Sequence, residues 1–334
     1  MPVKTIAVLT SGGDSPGMNP AIRAVTKTAI RQGARVFGIC NGYQGIFDDD
    51  LVELTERSIG GVLDRGGTFL QSSRCKTFYN HEGRVAAVRK LFDHQISGLI
   101  VIGGDGSLRG AIEINKLGMP VIGIPGTIDN DIYGTDIGVG VDTSSNTIVE
   151  LIDKIKDTAR SHRRCFLIEV MGRNSGYLAL STAISCGAEV AVIPEFRYNM
   201  PRILDLLANR YRNRLNDSII ILAEGVCDAD TFIKHMQEVQ GENVLKQEVR
   251  KTVLGHVQRG GRPSHFDRLL ASRMGELAVI SLLSGERGSM VALNRGRLTL
   301  VDLEKVCTMK KRLPNDIIRL ARHLGIELGD VVEV

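Results

Sequence analysis

Short runs of β-branched and other apolar residues recur along this chain, each followed by a glycine-rich turn and then an amphipathic stretch. "TIAVL" gives way to "TSGGDSPGMNP", after which "AIRAVTKTAIRQG" places Ile22, Val25, Ala29 and Ile30 on one helical face. "GLIVI" leads into "GGDGS" and "LRGAIEINKLG", and "PVIGI" leads into "PGTIDND". Later, "RCFLIEV" precedes "MGRNSG", "EVAVIPE" follows, and "SIIILAEG" precedes "VCDADTFIKHMQEV". Strands that are apolar nearly throughout must be covered on both faces, and helices between them make neighbouring strands parallel. The pattern predicts an α/β fold with mainly parallel sheets.

Ligands of such sheets bind beyond the carboxyl ends of the strands. The turns "SGGDS", "GGDGS", "PGTIDND", "VMGRNSG", "LAEG" and "LGHVQRGG" all fall there. So many polar turns on one edge predict a broad site with several sub-sites. At 334 residues the chain has room for one large or two medium domains. No apolar run approaches the roughly 20 residues of a membrane span. The opening "MPVKTIAVLTSGGDS" reads as a strand entering a glycine turn rather than a leader, so a cytoplasmic protein is expected. The six cysteines are scattered without a CxxC pair, which suggests neither a zinc site nor a disulfide framework. A net charge of only +4 and 4% aromatic residues argue against a nucleic-acid surface.

The stretch "IGIPGTIDNDIYGTD" carries Asp129, Asp131 and Asp136, with Asp142 close behind. Carboxylates so dense at a strand end repel one another unless a cation or a proton-handling task offsets the cost. In "GLIVIGGDGSLRG", Gly103, Gly104 and Gly106 let backbone N–H groups approach an anion at a helix start. Asp105 would repel that anion unless a divalent cation lay between them, and magnesium uses one or two carboxylates together with phosphate oxygens. Gly104, Gly106 and Gly110 also imitate a dinucleotide turn, but no acidic residue closes the second strand to hold a ribose. No GxxxxGK[ST] motif occurs. Asp129 or Asp131 can take a proton from a sugar hydroxyl, although either could simply cap a turn. Arg164, Arg173, Arg250 and Arg259 lie near strand ends, where guanidinium groups can grip phosphate. One arginine alone is usually a surface charge, and His256 alone is as readily structural as a phosphate donor. Together they describe a phosphoryl-transfer site.

The segments "LTSGGDSPGMN", "RGGTFL", "IGGDGS", "PGTIDNDI", "VMGR" and "TVLGHVQRGG" with "FDRLLASRMG", in this order, closely resemble the bacterial ATP-dependent 6-phosphofructokinases. The resemblance runs from about residue 4 to residue 296. It implies two Rossmann-like three-layer domains, about 1–140 with 255–300 for ATP and magnesium, and 141–254 with 301–334 for fructose 6-phosphate. It also implies transfer of the ATP γ-phosphate to the 1-hydroxyl of fructose 6-phosphate. By the same resemblance Asp129 is the proton acceptor, Asp105 the Mg2+ ligand, and Thr127 and Asp131 flank the transferred group. Gly13, Tyr43, Arg74, Cys75, Gly104, Gly106 and Ser107 match ATP positions. Ile128, Met171, Gly172, Arg173, Glu224, His256, Val257, Gln258 and Arg259 match sugar-phosphate positions. Arg164 and Arg250 match arginines that reach the site from a neighbouring subunit, implying a homotetramer.

Pyrophosphate-using relatives carry an Asp at Gly104 or Gly106 and a Lys at Gly126, so ATP is the expected donor here. Pyrophosphate-dependent or broader sugar-phosphate transfer is the alternative. Arg23, Lys27, Lys156 and Glu189 match an effector site for ADP or phosphoenolpyruvate. Glu56, Gly61, Asn213 and Leu215 depart from its pattern, which predicts weak effector binding. Tyr79 also stands where a basic residue contacts ATP.

Overall fold

The structure is a computed structural model that describes residues 5–213, 217–240 and 248–331. Strand β1 (Thr5–Ser11) leads through α1 (Met18–Arg31) to β2 (Arg35–Ile39), α2 (Tyr43–Phe47) and β3 (Leu51–Glu53). Next come α3 (His81–Asp93), β4 (Gly98–Gly103), α4 (Asp105–Lys116) and β5 (Val121–Pro125). Helix α5 (Val141–His162) precedes β6 (Cys165–Val170), α6 (Tyr177–Cys186), β7 (Val190–Val192), β8 (Phe196–Arg197), α7 (Met200–Arg212) and β9 (Ser218–Ala223). The chain closes with α8 (Ala229–Gln240), β10 (Val249–Val253), α9 (His265–Leu283), β11 (Ser289–Asn294), β12 (Arg297–Asp302), α10 (Leu303–Thr308), α11 (Asn315–His323) and β13 (Asp330–Val331).

Contacts divide the chain into two compact units. The first runs to Ile128 and takes in Ile132–Thr143 and Arg259–Lys311. The second comprises Asp129–Asp131, Ser144–Gln258 and the segment from Arg312 onward. Residues 301–311 therefore group with the first unit, whereas the sequence expectation placed them with the second domain. The reason is pairing: β12 runs antiparallel to β11, with Val301 opposite Met290, and so carries α10 with it. From Arg312 the tail lies in the second unit.

In the first unit the sheet order is β12-β11-β5-β4-β1-β2-β3, parallel except at its two outermost pairings. Alternate residues of one strand point to opposite faces. Ala7, Leu9, Leu99 and Val101 pack with Ala87 and Leu91 of α3 and Leu108 and Ala111 of α4. Ile6, Val8, Ile100 and Ile102 pack with Ile22, Val25 and Ala29 of α1 and with Met274 and Ala278 of α9. That two-sided cover is what near-continuous apolar strands demand. The second unit has a parallel sheet ordered β10-β6-β9-β7 and a short antiparallel pair, β13 with β8. Its residues Leu167, Ile220 and Leu222 pack against Ile203 and Leu207 of α7 and Phe232 of α8. Among the described residues no helix is long and apolar enough to cross a membrane.

Within the first unit, the fully buried Asp267 accepts hydrogen bonds from the N–H groups of Gly140 and Thr143, both at 2.8 Å. It thereby caps the start of α5, and the Thr143 hydroxyl adds a third bond at 2.5 Å. Burial outweighs these donors and pushes the Asp267 carboxyl up from its ordinary 3.8 to about 6. A carboxyl raised on folding stabilises fully below pH 4, and that contribution is lost as pH rises through about 6. Against Asp267→Asn, wild type should lose on the order of 2–3 kcal/mol between those limits. Parallel thermal melts of both proteins across pH 4–7 measure this; a constant difference in Tm would refute it.

Candidate active site

Register brings the polar turns of the first unit together. Ser11 pairs with Gly103, and Gly103 with Pro125, so the turns after β1, β4 and β5 leave adjacent strand ends. From β1 the chain moves outward to β2 and β3, then returns to lay β4 and β5 on the other side. The β1/β4 boundary is therefore a topological switch point, where open α/β sheets bind ligands. At this edge Asp105 opens α4, whose N-cap Gly104 makes no side-chain cap bond, and a helix start of this kind suits an anion. Its carboxylate accepts from Arg109 Nε at 2.9 Å. A Cβ on Gly104 would make only ordinary contact with Thr127 at 3.7 Å, and one on Gly106 would meet nothing within 4 Å. Both glycines thus leave open space on either side of the carboxylate. A Cβ on Gly13 would meet the Arg259 guanidinium and require that side chain to move from its present place, where it donates to the Asp14 carbonyl at 3.1 Å.

Support for this turn comes from behind. Tyr43 is buried, stacks on Phe78 with centroids 4.0 Å apart, and donates its hydroxyl to the Ser107 carbonyl at 2.7 Å. Cys75 is buried, whereas Arg74 is exposed and Tyr79 is 77% exposed. Gly126 N–H donates to Gly103 O at 3.0 Å and Thr127 N–H to Val139 O at 3.2 Å, which holds the buried Thr127 at the strand end.

In the second unit, Val170 pairs with Ala223 and Glu169 with Val253, so the turns after β6, β9 and β10 also share one edge. Asp129 is only 5% exposed, and Arg173 Nε lies 3.7 Å from its Oδ2. The Arg173 side chain is 67% exposed, while its backbone is left-handed at φ +50. Side chains hold that loop. Met171 N–H donates to Gln258 Oε1 at 3.0 Å, and the Gly172 and Arg173 N–H groups donate to Glu224 Oε1 at 3.2 and 3.0 Å. At the outer strand β10 and its neighbour β6, Glu248 bridges Arg164 (2.7 Å) and Arg250 (2.5 Å).

Comparison with known proteins accounts for this arrangement. The phosphofructokinase family model matches residues 5–282, most of the chain. The chain belongs to the phosphofructokinase family. It is 46% identical to the ATP-dependent 6-phosphofructokinase of Oceanobacillus iheyensis, over 97% of this chain and all of that protein. It is 47% identical to the protein of the same name from Brevibacillus brevis over 97% of this chain and all of that one. Phosphofructokinase from Saccharomyces cerevisiae has the same architecture, with a TM-score of 0.84 and 34% identity; the match covers 98% of this chain and 48% of that longer one. A pyrophosphate-dependent phosphofructokinase from Marinobacter aquaeolei shares the fold at a TM-score of 0.84, 20% identity, and 98% and 95% coverage.

Of the family positions read from sequence, Gly13, Gly104, Asp105, Gly106, Ser107 and Thr127 lie around neighbouring strand ends of the first unit. Arg259 joins them there through Gly13 and Asp14, although the sequence reading grouped it with the sugar phosphate. Asp129, Met171, Gly172, Arg173, Glu224 and Gln258 are linked within the second unit. Gln258 is fully buried on Met171 N–H, so its side chain shapes the site from beneath. His256 and Val257 are exposed beside it. The effector positions have their own partners: Lys156 Nζ donates to Cys186 O at 2.5 Å, and Glu189 pairs with Arg210 at 2.6 Å. Burial pushes the Glu189 carboxyl up. Arg23 and Lys27 are half-buried on α1, Glu56 is exposed, and Leu215 lies outside the described residues. Sequence reasoning gave no role to Glu248 or to Glu195, the last residue of "EVAVIPE", because their partners are visible only in three dimensions.

Proposed function

We infer that this chain is an ATP-dependent 6-phosphofructokinase, moving the γ-phosphate of ATP to the 1-hydroxyl of D-fructose 6-phosphate and releasing ADP and fructose 1,6-bisphosphate. The carrying observation is a buried Asp129 with Arg173 at 3.7 Å, two residues along the chain from Thr127 in the turn after β5. The Asp129 carboxylate takes the proton of the attacking hydroxyl, and the Arg173 guanidinium stabilises charge on the moving phosphoryl group. Thr127 and Asp131 flank that group, and the N-terminus of α4 receives the polyphosphate.

Magnesium is the divalent ion proposed. Among the described residues no group of three His, Cys, Asp or Glu side chains is placed to hold a metal unaided. One carboxylate, Asp105, flanked by two open glycines fits an ion that takes most of its oxygens from phosphate and water. Bound there, magnesium would offset charge on the phosphate oxygens.

A coupled assay with ATP or pyrophosphate over a panel of sugar phosphates tests the reading; turnover with pyrophosphate alone would overturn it. Gly104→Asp should leave the melting temperature unchanged, because the new Cβ is accommodated. Its carboxylate should cut kcat/KM for ATP about 10²-fold, a like-charge penalty of about 3 kcal/mol. An unaltered kcat/KM would show that no phosphate passes Gly104. We also propose a cytoplasmic homotetramer in which Arg164 and Arg250, beside the outer strand β10, serve a neighbouring subunit. Activation by ADP should be weak, since Lys156 and Glu189 are engaged within their own unit. A large ADP-induced rise in fructose 6-phosphate affinity would contradict this.

A further inference from the structure

The loop that presents Arg173 is held in an unfavourable shape. A non-glycine residue at φ +50 costs about 1–3 kcal/mol and persists only where its surroundings over-determine it. Gln258 and Glu224 fix the N–H groups of Met171, Gly172 and Arg173, and Ser175 N–H closes the turn on Gly172 O at 2.9 Å. Packing adds a further restraint. A Cβ on Gly225 would strike the Arg173 carbonyl at 1.7 Å, and one on Gly172 would lie 2.5 Å from Ser175 O.

The far end of the loop is held by a residue outside these motifs. Glu195, just beyond β7, accepts the Gly176 N–H through Oε1 at 2.9 Å, at the start of α6. Its Oε2 is buried with no hydrogen-bond partner among the described residues. A Cβ on Gly176 would sit 2.4 Å from that oxygen and 2.5 Å from Ile193 Cβ, so carboxylate and loop are in close contact. Burying a carboxylate oxygen without a donor is costly, and burial pushes the Glu195 carboxyl above its usual range. A group kept only to cap α6 could be a small hydroxyl or amide at the cap itself. We propose that Glu195 is a positioning residue for Arg173: it pins Gly176 N–H and so fixes the end of the left-handed turn that aims the guanidinium at substrate phosphate. The inference rests on the roles given to Arg173 above, a sugar-phosphate position that also stabilises the moving phosphoryl group, so kcat should fall as KM for fructose 6-phosphate rises.

Three variants test it. Glu195→Gln keeps an acceptor for Gly176, Glu195→Asp keeps the charge but withdraws the acceptor by one methylene, and Glu195→Ala removes it. Loss of the hydrogen bond to Gly176 N–H should raise KM for fructose 6-phosphate by about tenfold in the Asp and Ala variants. KM for ATP should not move, and the Gln variant should stay within about twofold of wild type. Amide hydrogen exchange over 171–177 should quicken in the Asp and Ala variants alone. If the Ala variant does not fold, the Asp and Gln pair decides the matter. Equal rises in both KM values, unchanged exchange, or failure of Gln to restore KM would each overturn the proposal. Wild-type protein without turnover on ATP and fructose 6-phosphate would instead sink the functional reading, and the exchange measurement would still judge Glu195.

Discussion

Asp129→Asn should lower kcat by about 10²–10⁴-fold, the range that general-base catalysis contributes. The substitution preserves shape and keeps one oxygen near Arg173 while removing the group able to accept a proton. Asp129 is nearly buried, so bulk water is poorly placed to replace it. Because the effect belongs to the transition state, kcat should fall while the dissociation constant for fructose 6-phosphate changes little. Steady-state kinetics with direct sugar-phosphate binding would separate the two. Turnover within tenfold of wild type would remove Asp129 from the proton-acceptor role.

Asp105→Asn should lower kcat/KM for magnesium–ATP by roughly 10²-fold, equivalent to about 2.7 kcal/mol of lost transition-state stabilisation. The amide keeps the side-chain volume at the first position of α4 and can still accept from Arg109, so the helix should survive. What it removes is the negative charge that magnesium requires of a protein ligand. Half-saturation in magnesium should rise, whereas fructose 6-phosphate binding should not change. Titrating magnesium at fixed total ATP in both proteins provides the measurement. Superimposable curves would mean that the metal is held without Asp105.

Much of the architecture was legible before any coordinates. Ile6 and Val8 pack on one face of the first sheet and Ala7 and Leu9 on the other, as an apolar run with a two-residue period requires. Of the helical face read from Ile22, Val25, Ala29 and Ile30, the first three are buried on α1 and Ile30 is half-buried. The ordered turns named the family, because their glycines and acids meet geometric demands that tolerate few substitutes. Less legible was how side chains in those motifs are used. Tyr43 supports Ser107 through its hydroxyl, Gln258 is buried on a backbone N–H, and Arg259 lies against Gly13.

From sequence alone came the alternation of strand and helix, the edge on which chemistry gathers, and the carboxylates, glycines and arginines suited to phosphoryl transfer. Those properties depend on local spacing, which the chain carries from one residue to the next. Tertiary structure decided that β12 and α10 join the first unit, that Glu248 bridges two arginines, and that Glu195 pins the loop behind Arg173. A buried N–H takes whichever acceptor packing brings within about 3 Å. Glu195 lies 19 residues from its donor and Glu248 lies 84 from Arg164, distances over which no local periodicity extends.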